Sequence, residues 1–389
     1  MRVWQSRFGR KVFLALATSI VTLGVLEVSA RIYVSKFANR EQFSKYASLD
    51  EYRARIGTNV WWFGLLTPHR YLGYIGAPNL VDGQNRHNSL GFRGEEITVP
   101  KPDGEFRIAC LGASTTYSLF VPDYRRSYPA LLQTDLRSRG YSNVTVINAG
   151  VPAWSTYESL INYLLRVQNL EPDLVIFKEA FADLGCRLVW PPDAYKGDNS
   201  GCLAPQFALR DMPFYNASTL LRILLVESGY ALPASTLGES VYNHADTAYF
   251  FEFAKQRWGG RFPSGIFKTV SVADMLEANP PVYYRRNIEN LVTSAKEDGV
   301  QPVLATFPYS PKFGGYFDVE GFRTGLDEHN EILRQIAERF HVPMIDLAAS
   351  FPIDATYWGF DGIHANAEGT ALEAKLVADF LVERHLVRK

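Results

Sequence analysis

The stretch FRIACLGASTT, Phe106–Thr116, decides the fold. Its first six residues form a β-type run that is apolar but for Arg107, and Gly112 stops it before a cluster of hydroxyl side chains. A short apolar run closed by glycine reads as a strand buried on both faces. Four further runs repeat the pattern: VTVINA (Val144–Ala149), LVIFK (Leu174–Lys178), PVLATF (Pro302–Phe307) and VPMIDL (Val342–Leu347). Amphipathic helical stretches separate them at Tyr128–Arg139, Thr156–Gln168, Tyr283–Asp298 and Leu326–Phe340, and Ala367–Arg384 closes the chain. Strand alternating with helix predicts an α/β domain whose five-stranded parallel sheet is covered on both faces.

In open α/β sheets ligands bind beyond the carboxyl ends of the strands, so the residues just after each run are the candidates for chemistry. After the first run, Gly112 permits a tight turn and Ser114 can present its hydroxyl at the top of the sheet, either as a nucleophile or as a plain helix cap. A serine nucleophile needs a base, and the base needs a carboxylate to fix its tautomer. Asp361 and His364, in FDGIH before the last helix, supply both types three residues apart; the plain alternative is a capping aspartate beside a surface histidine. After the second run, Gly150 lacks the Cβ that would keep a main-chain N–H from a substrate oxygen, or is simply a turn glycine.

With these residues in order, the chain resembles the SGNH, or GDSL-like, serine hydrolases. RIACLGASTT resembles the nucleophile block, VINAGVPAWSTYESL the glycine block and FDGIHANAEG the D-x-x-H block, and HNSLGFRGEEITVPKPDGEFRI resembles the lead-in of membrane-anchored bacterial members. The likeness runs from about Phe106 to Phe380, leaving out a long insertion after the third strand. It implies a flavodoxin-like three-layer α/β/α fold, a triad of Ser114, His364 and Asp361, and an oxyanion hole built from the N–H groups of Ser114 and Gly150. It departs from the family at Ala113, which stands where the name-giving Asp would be. It departs again at Ala180-Phe181-Ala182-Asp183, where Ala182 replaces the asparagine expected to donate to the oxyanion. Lys178 or a residue of the insertion is then the candidate replacement, unless Lys178 simply pairs with Glu179.

The activity so implied is that of a serine esterase acting on an O-acyl ester, O-acetyl included, of an envelope glycan or lipid, with no metal or organic cofactor. Two alternatives stay open: O-acyl transfer to a polysaccharide, and a silent carbohydrate-binding relative, the latter because of Ala182. Lys and Arg number 40 against 41 Asp and Glu, a formal net charge of -1, which excludes a global basic field for nucleic acid. Three cysteines, Cys110, Cys186 and Cys202, make neither a disulfide scaffold nor a zinc pattern, though the spacing of Cys186 and Cys202 allows a pair. His69, His87, His244, His329, His341 and His385 are expected in solvated or capping roles, and the sequence leaves the oligomeric state open.

The N-terminus is uneven. Basic residues precede VFLALATSIVTLGVL (Val12–Leu26), a run without a charge, and Glu27 and Arg31 interrupt the apolar residues beyond it. This reads as an export signal, an uncleaved membrane anchor ahead of a cleaved peptide ending at Val28-Ser29-Ala30, with a buried core helix as the plain alternative. The expected organisation is an anchor or signal over 1–35, an irregular lead-in without chemistry over 36–104, and the hydrolase-like domain over 105–389. Its insertion, 185–280, is expected to form a cap or small subdomain whose aromatics, Trp190, Tyr195, Phe214, Tyr215, Phe250, Phe251 and Trp258, line an acyl or sugar pocket or make a core.

Overall fold

A computed structural model describes residues 7–48, 51–52, 65–197, 214–234 and 247–389. The chain divides into two compact units, one of Leu65–Gln206 with Asn243–Lys389 and the other of Met1–Gly64 with Phe207–Tyr242.

The larger unit is an α/β domain. Strands β1 (Phe106–Gly112), β2 (Val144–Asn148), β3 (Leu174–Lys178), β4 (Gln301–Ala305) and β5 (Met344–Ile345) pair in parallel in the order β2-β1-β3-β4-β5. That is the flavodoxin-like order, whose switch point lies between β1 and β3. Every residue of β1 is buried, and the period of two sorts its side chains to two cores. Ala109 and Leu111, with Ile147, Val175, Phe177 and Leu304, meet the helices Val282–Glu297 and Phe322–Phe340. Ile108 and Cys110, with Leu174, Ile176 and Val303, meet the helices Tyr128–Ser138 and Ala367–Glu383. The expected sheet and its helical layers are therefore present.

Two helices differ in detail. Helix Phe322–Phe340 starts a turn before the expected Leu326, with Gly325 in its first turns because a Cβ there would meet Leu184 Cδ1 at 2.5 Å. The expected helix over 156–168 is α-helical only over Thr156–Asn162, then widens to a π turn, Tyr163–Val167, and tightens to a 3₁₀ turn, Gln168–Leu170.

In the smaller unit, helix Arg7–Ile32 continues into a π turn, Tyr33–Phe37. Over Phe8–Phe37 it is long and apolar enough to cross a membrane. Val34, Phe43, Ala47, Tyr52 and Ala234 form the core of the unit. Helix Thr219–Glu227 returns to the N-terminal helix, and Glu27 receives the Ser218 hydroxyl at 2.8 Å, the Leu220 N–H at 2.9 Å and the Thr219 N–H at 3.0 Å. Arg222 adds hydrogen bonds to the carbonyls of Tyr46 (2.8 Å) and Asn216 (2.6 Å). These ties explain why the compact units cut across the segments expected from sequence: residues 207–242, the middle of the insertion, join the N-terminal unit, while lead-in residues from Leu65 onward belong to the α/β domain. Cys202, the suggested partner of Cys186, lies outside the described residues, as does His244.

Candidate active site

The turn after β1 carries Ser114 at the start of a single helical turn, Ser114–Tyr117. Gly112, at φ +151°, makes that turn possible: a Cβ there would meet the Lys178 carbonyl at 2.3 Å and the Thr116 hydroxyl at 2.4 Å. The first N–H groups of a helical turn have no partner inside it, so the Ser114 N–H is available at the carboxyl end of the sheet.

His364 reaches this serine from the far end of the chain. Its Nε2 lies 2.8 Å from Ser114 Oγ, and its Nδ1 lies 2.6 Å from Asp361 Oδ2. The carboxylate can only accept, so it fixes the proton on Nδ1 and leaves Nε2 to accept from the serine hydroxyl. Asp361 is itself held in place, its Oδ1 receiving the N–H groups of Ile363 (2.9 Å) and His364 (3.0 Å). Burial pushes the Asp361 carboxyl upward, but the His364 charge and these hydrogen bonds outweigh it and hold the group below its ordinary value. The structure thus brings together Ser114, His364 and Asp361, and the arrangement can draw a proton from the serine hydroxyl.

Gly150 lies in a tightly packed loop beside the turn that carries Ser114. A Cβ there would meet the Tyr117 nitrogen at 2.5 Å and Thr116 at 2.9 Å, so the glycine lets its loop pack on the back of the Ser114 turn. Its N–H donates to Asn148 Oδ1 at 3.2 Å. Ala182 is half-buried, and its N–H donates to Glu179 Oε1 at 3.2 Å, as the Ala180 N–H does at 2.9 Å.

Lys178 forms neither expected partnership at the oxyanion side. Consecutive strand residues point to opposite faces, so Lys178 and Glu179 part company. Lys178 meets Glu373 of the last helix in a buried ion pair and sits 4.6 Å from the centre of the Tyr128 ring. Burial first, and then the neighbouring Asp183 carboxyl, push Glu179 up to about 8. Burial likewise pushes Asp183 up to about 7, against hydrogen bonds from the Thr156 hydroxyl (2.6 Å) and N–H (2.9 Å).

The lead-in, read from sequence as carrying no chemistry, holds the residues that set the turn carrying Ser114. Arg93, almost wholly buried, donates to the carbonyls of Tyr117 (2.6 Å), Ser118 (3.0 Å) and Val121 (2.6 Å). Its Nε donates to Asn85 Oδ1 at 2.8 Å, and its guanidinium lies 4.5 Å from the centre of the Tyr117 ring. His87 Nε2 and Asn85 Nδ2 meet the Tyr117 hydroxyl at 2.8 and 2.9 Å. A left-handed Ser118, at φ +64°, ends the turn under this clamp. Nothing in HNSLGFRG marks Arg93 as buried, since its partners are main-chain carbonyls. His87 and His329 are likewise buried and not solvated, and burial lowers His87 to about 4 and His329 to about 3.

Residues 232–372 match the GDSL-like Lipase/Acylhydrolase family, a span that includes Asp361 and His364 and stops short of Ser114. No curated protein matches the chain. Among solved structures it is similar to a lipase/acylhydrolase from Enterococcus faecalis, at 15% identity and TM-score 0.41, covering 72% of this chain and 96% of that one. It is also similar to an acetyl xylan esterase from Geobacillus stearothermophilus, at 15% identity and TM-score 0.41, covering 72% and 94%. A GDSL-like lipase from Bacteroides thetaiotaomicron aligns at 12% identity and TM-score 0.41, covering 74% and 93%. The chain carries a GDSL-like lipase/acylhydrolase (SGNH) domain.

Proposed function

We propose that this protein is an exported, membrane-anchored serine esterase that hydrolyses an O-acyl ester, O-acetyl included, of an envelope glycan or lipid. One observation carries the reading: His364 bridges Ser114 Oγ at 2.8 Å and Asp361 Oδ2 at 2.6 Å. Ser114 Oγ attacks the ester carbonyl while His364 Nε2 takes its proton, and Asp361 stabilises the imidazolium that forms. His364 then gives the proton to the leaving alcohol, and the acyl group stays on Ser114. Water, deprotonated by the same imidazole, releases the acid. The Ser114 N–H is the first donor to the oxyanion; the Gly150 N–H is the second once it leaves Asn148 Oδ1.

Glu27 supports the anchor over the cleaved peptide. Removal of the chain up to Ala30 would take away the acceptor of three donors at the start of helix Thr219–Glu227.

A second reading, a silent carbohydrate-binding relative, has its own support in Ala182 and in the engagement of the Gly150 N–H. Hydrolysis of 4-nitrophenyl acetate by the full-length protein separates the two. The esterase reading expects turnover that Ser114→Ala abolishes; turnover equal in the two proteins, or none in either, rejects it. Product analysis with a polysaccharide acceptor distinguishes hydrolysis from acyl transfer.

A further inference from the structure

Beside the triad runs a ladder of aromatic rings that the proton-transfer chemistry leaves unused. Phe120 packs on the His364 imidazole with ring centres 4.6 Å apart, and Phe360 stacks on Phe120 at 5.0 Å with planes 19° apart. Trp258, the last residue of helix Phe250–Trp258, meets Phe360 at 5.4 Å and 67°. The ladder is built into the fold. Gly359 leaves room for Phe120, since a Cβ there would meet its Cδ2 at 2.6 Å, and the Trp258 indole N–H donates to the Tyr316 hydroxyl at 3.0 Å. The outer two rings are nonetheless in water, Trp258 at 52% and Phe360 at 66% exposure. Adjoining apolar surface left exposed beside a catalytic group marks a place for a ligand.

We propose that Trp258 and Phe360 form a stacking platform for a pyranose ring of the substrate, so that the ester bound over Ser114 is a substituent of a glycan. The assignment rests on the esterase reading and narrows it. An acyl chain calls for an enclosed apolar channel, whereas these rings are open to solvent. With its N–H already committed to Tyr316, the indole offers a ligand only its apolar face, which suits the C–H face of a sugar. Polar groups lie on the same elements: Arg257 precedes Trp258 and pairs with Asp318 at 3.6 Å, and Asp318, on the turn that carries Tyr316, is 64% exposed and can accept hydrogen bonds from hydroxyl groups.

The test compares full-length wild type with Trp258→Ala and Trp258→Phe on an O-acetylated gluco-oligosaccharide, 4-nitrophenyl acetate and 4-nitrophenyl octanoate. Calorimetry of the same oligosaccharide with Ser114→Ala, alone and combined with Trp258→Ala, measures binding without turnover. The platform expects Trp258→Ala to lower kcat/KM for the oligosaccharide about tenfold more than for 4-nitrophenyl acetate, mainly through KM, and to weaken binding about tenfold, with Trp258→Phe recovering most of both. A selective loss on the octanoate assigns the rings to an acyl chain, and an equal loss on all three esters assigns them to packing; either overturns the proposal. Oligosaccharide binding that depends on Trp258 in a protein that hydrolyses no ester rejects the esterase reading and keeps the platform. Turnover of 4-nitrophenyl acetate with binding indifferent to Trp258 does the reverse.

Discussion

Ser114 Oγ lies 2.8 Å from His364 Nε2, although 250 residues separate the two in the chain. The sheet closes that distance: Ser114 comes just after β1 and His364 precedes the helix that packs back onto the same strand. Two turns at the carboxyl edge of one rigid sheet therefore hold the pair, and the proposed chemistry depends on their separation.

Asp361 fixes the tautomer, so Asp361→Asn keeps the volume and reverses the hydrogen bond to Nδ1. A fall in kcat of about 10⁴ is expected, with KM little changed. Steady-state kinetics on 4-nitrophenyl acetate measures it, and a kcat within a factor of about ten of wild type would show that the carboxylate does not orient the base.

Ala182 stands where a third oxyanion donor is expected. Ala182→Asn restores a side-chain amide and should raise kcat by on the order of 10², the range that one such donor contributes. An unchanged kcat with an unchanged fold would mean that the oxyanion sits elsewhere.

Arg93 holds four carbonyls at the end of the turn that carries Ser114, which a lysine cannot reach together. Arg93→Lys is expected to lower kcat by about 10² through misplacement of Ser114. Loss of melting temperature with kcat retained in the folded fraction would reduce Arg93 to a structural role.

Much of the fold was legible because strands buried on both faces read as unbroken apolar runs, and β1 is the clearest case. Ser114 was legible because it sits just after such a run, and Asp361 and His364 because the two residue types stand three apart before the last helix. Arg93 was not, since a buried arginine whose partners are main-chain carbonyls leaves no pattern in its own side-chain sequence. The partition of the insertion was equally hidden: Glu27 meets Ser218 across 191 residues, a contact without local periodicity. The separate fates of Lys178 and Glu179 needed the strand's exact phase, which shows that adjacent charges on a strand are poor ion-pair partners.

Glu179 is a buried acid raised to about 8 from an ordinary 4.5, by burial and then by Asp183. A carboxyl raised on folding contributes stability that is fully present below about pH 4.5 and is lost as pH rises toward 8. Glu179→Gln should therefore gain melting temperature relative to wild type between pH 5 and about pH 9, with some slope left by Asp183, which is raised to about 7. Parallel curves for the two proteins, measured by scanning calorimetry, would show that Glu179 is ionised in the folded state.

The central claim is that Ser114 is the nucleophile, and covalent capture tests it most directly. The full-length protein is treated with a fluorophosphonate, and the adduct is located by peptide mass spectrometry. One adduct per chain is expected, on Ser114, absent from Ser114→Ala and slowed in His364→Ala. An adduct on another residue, or none on folded wild-type protein, would contradict the claim.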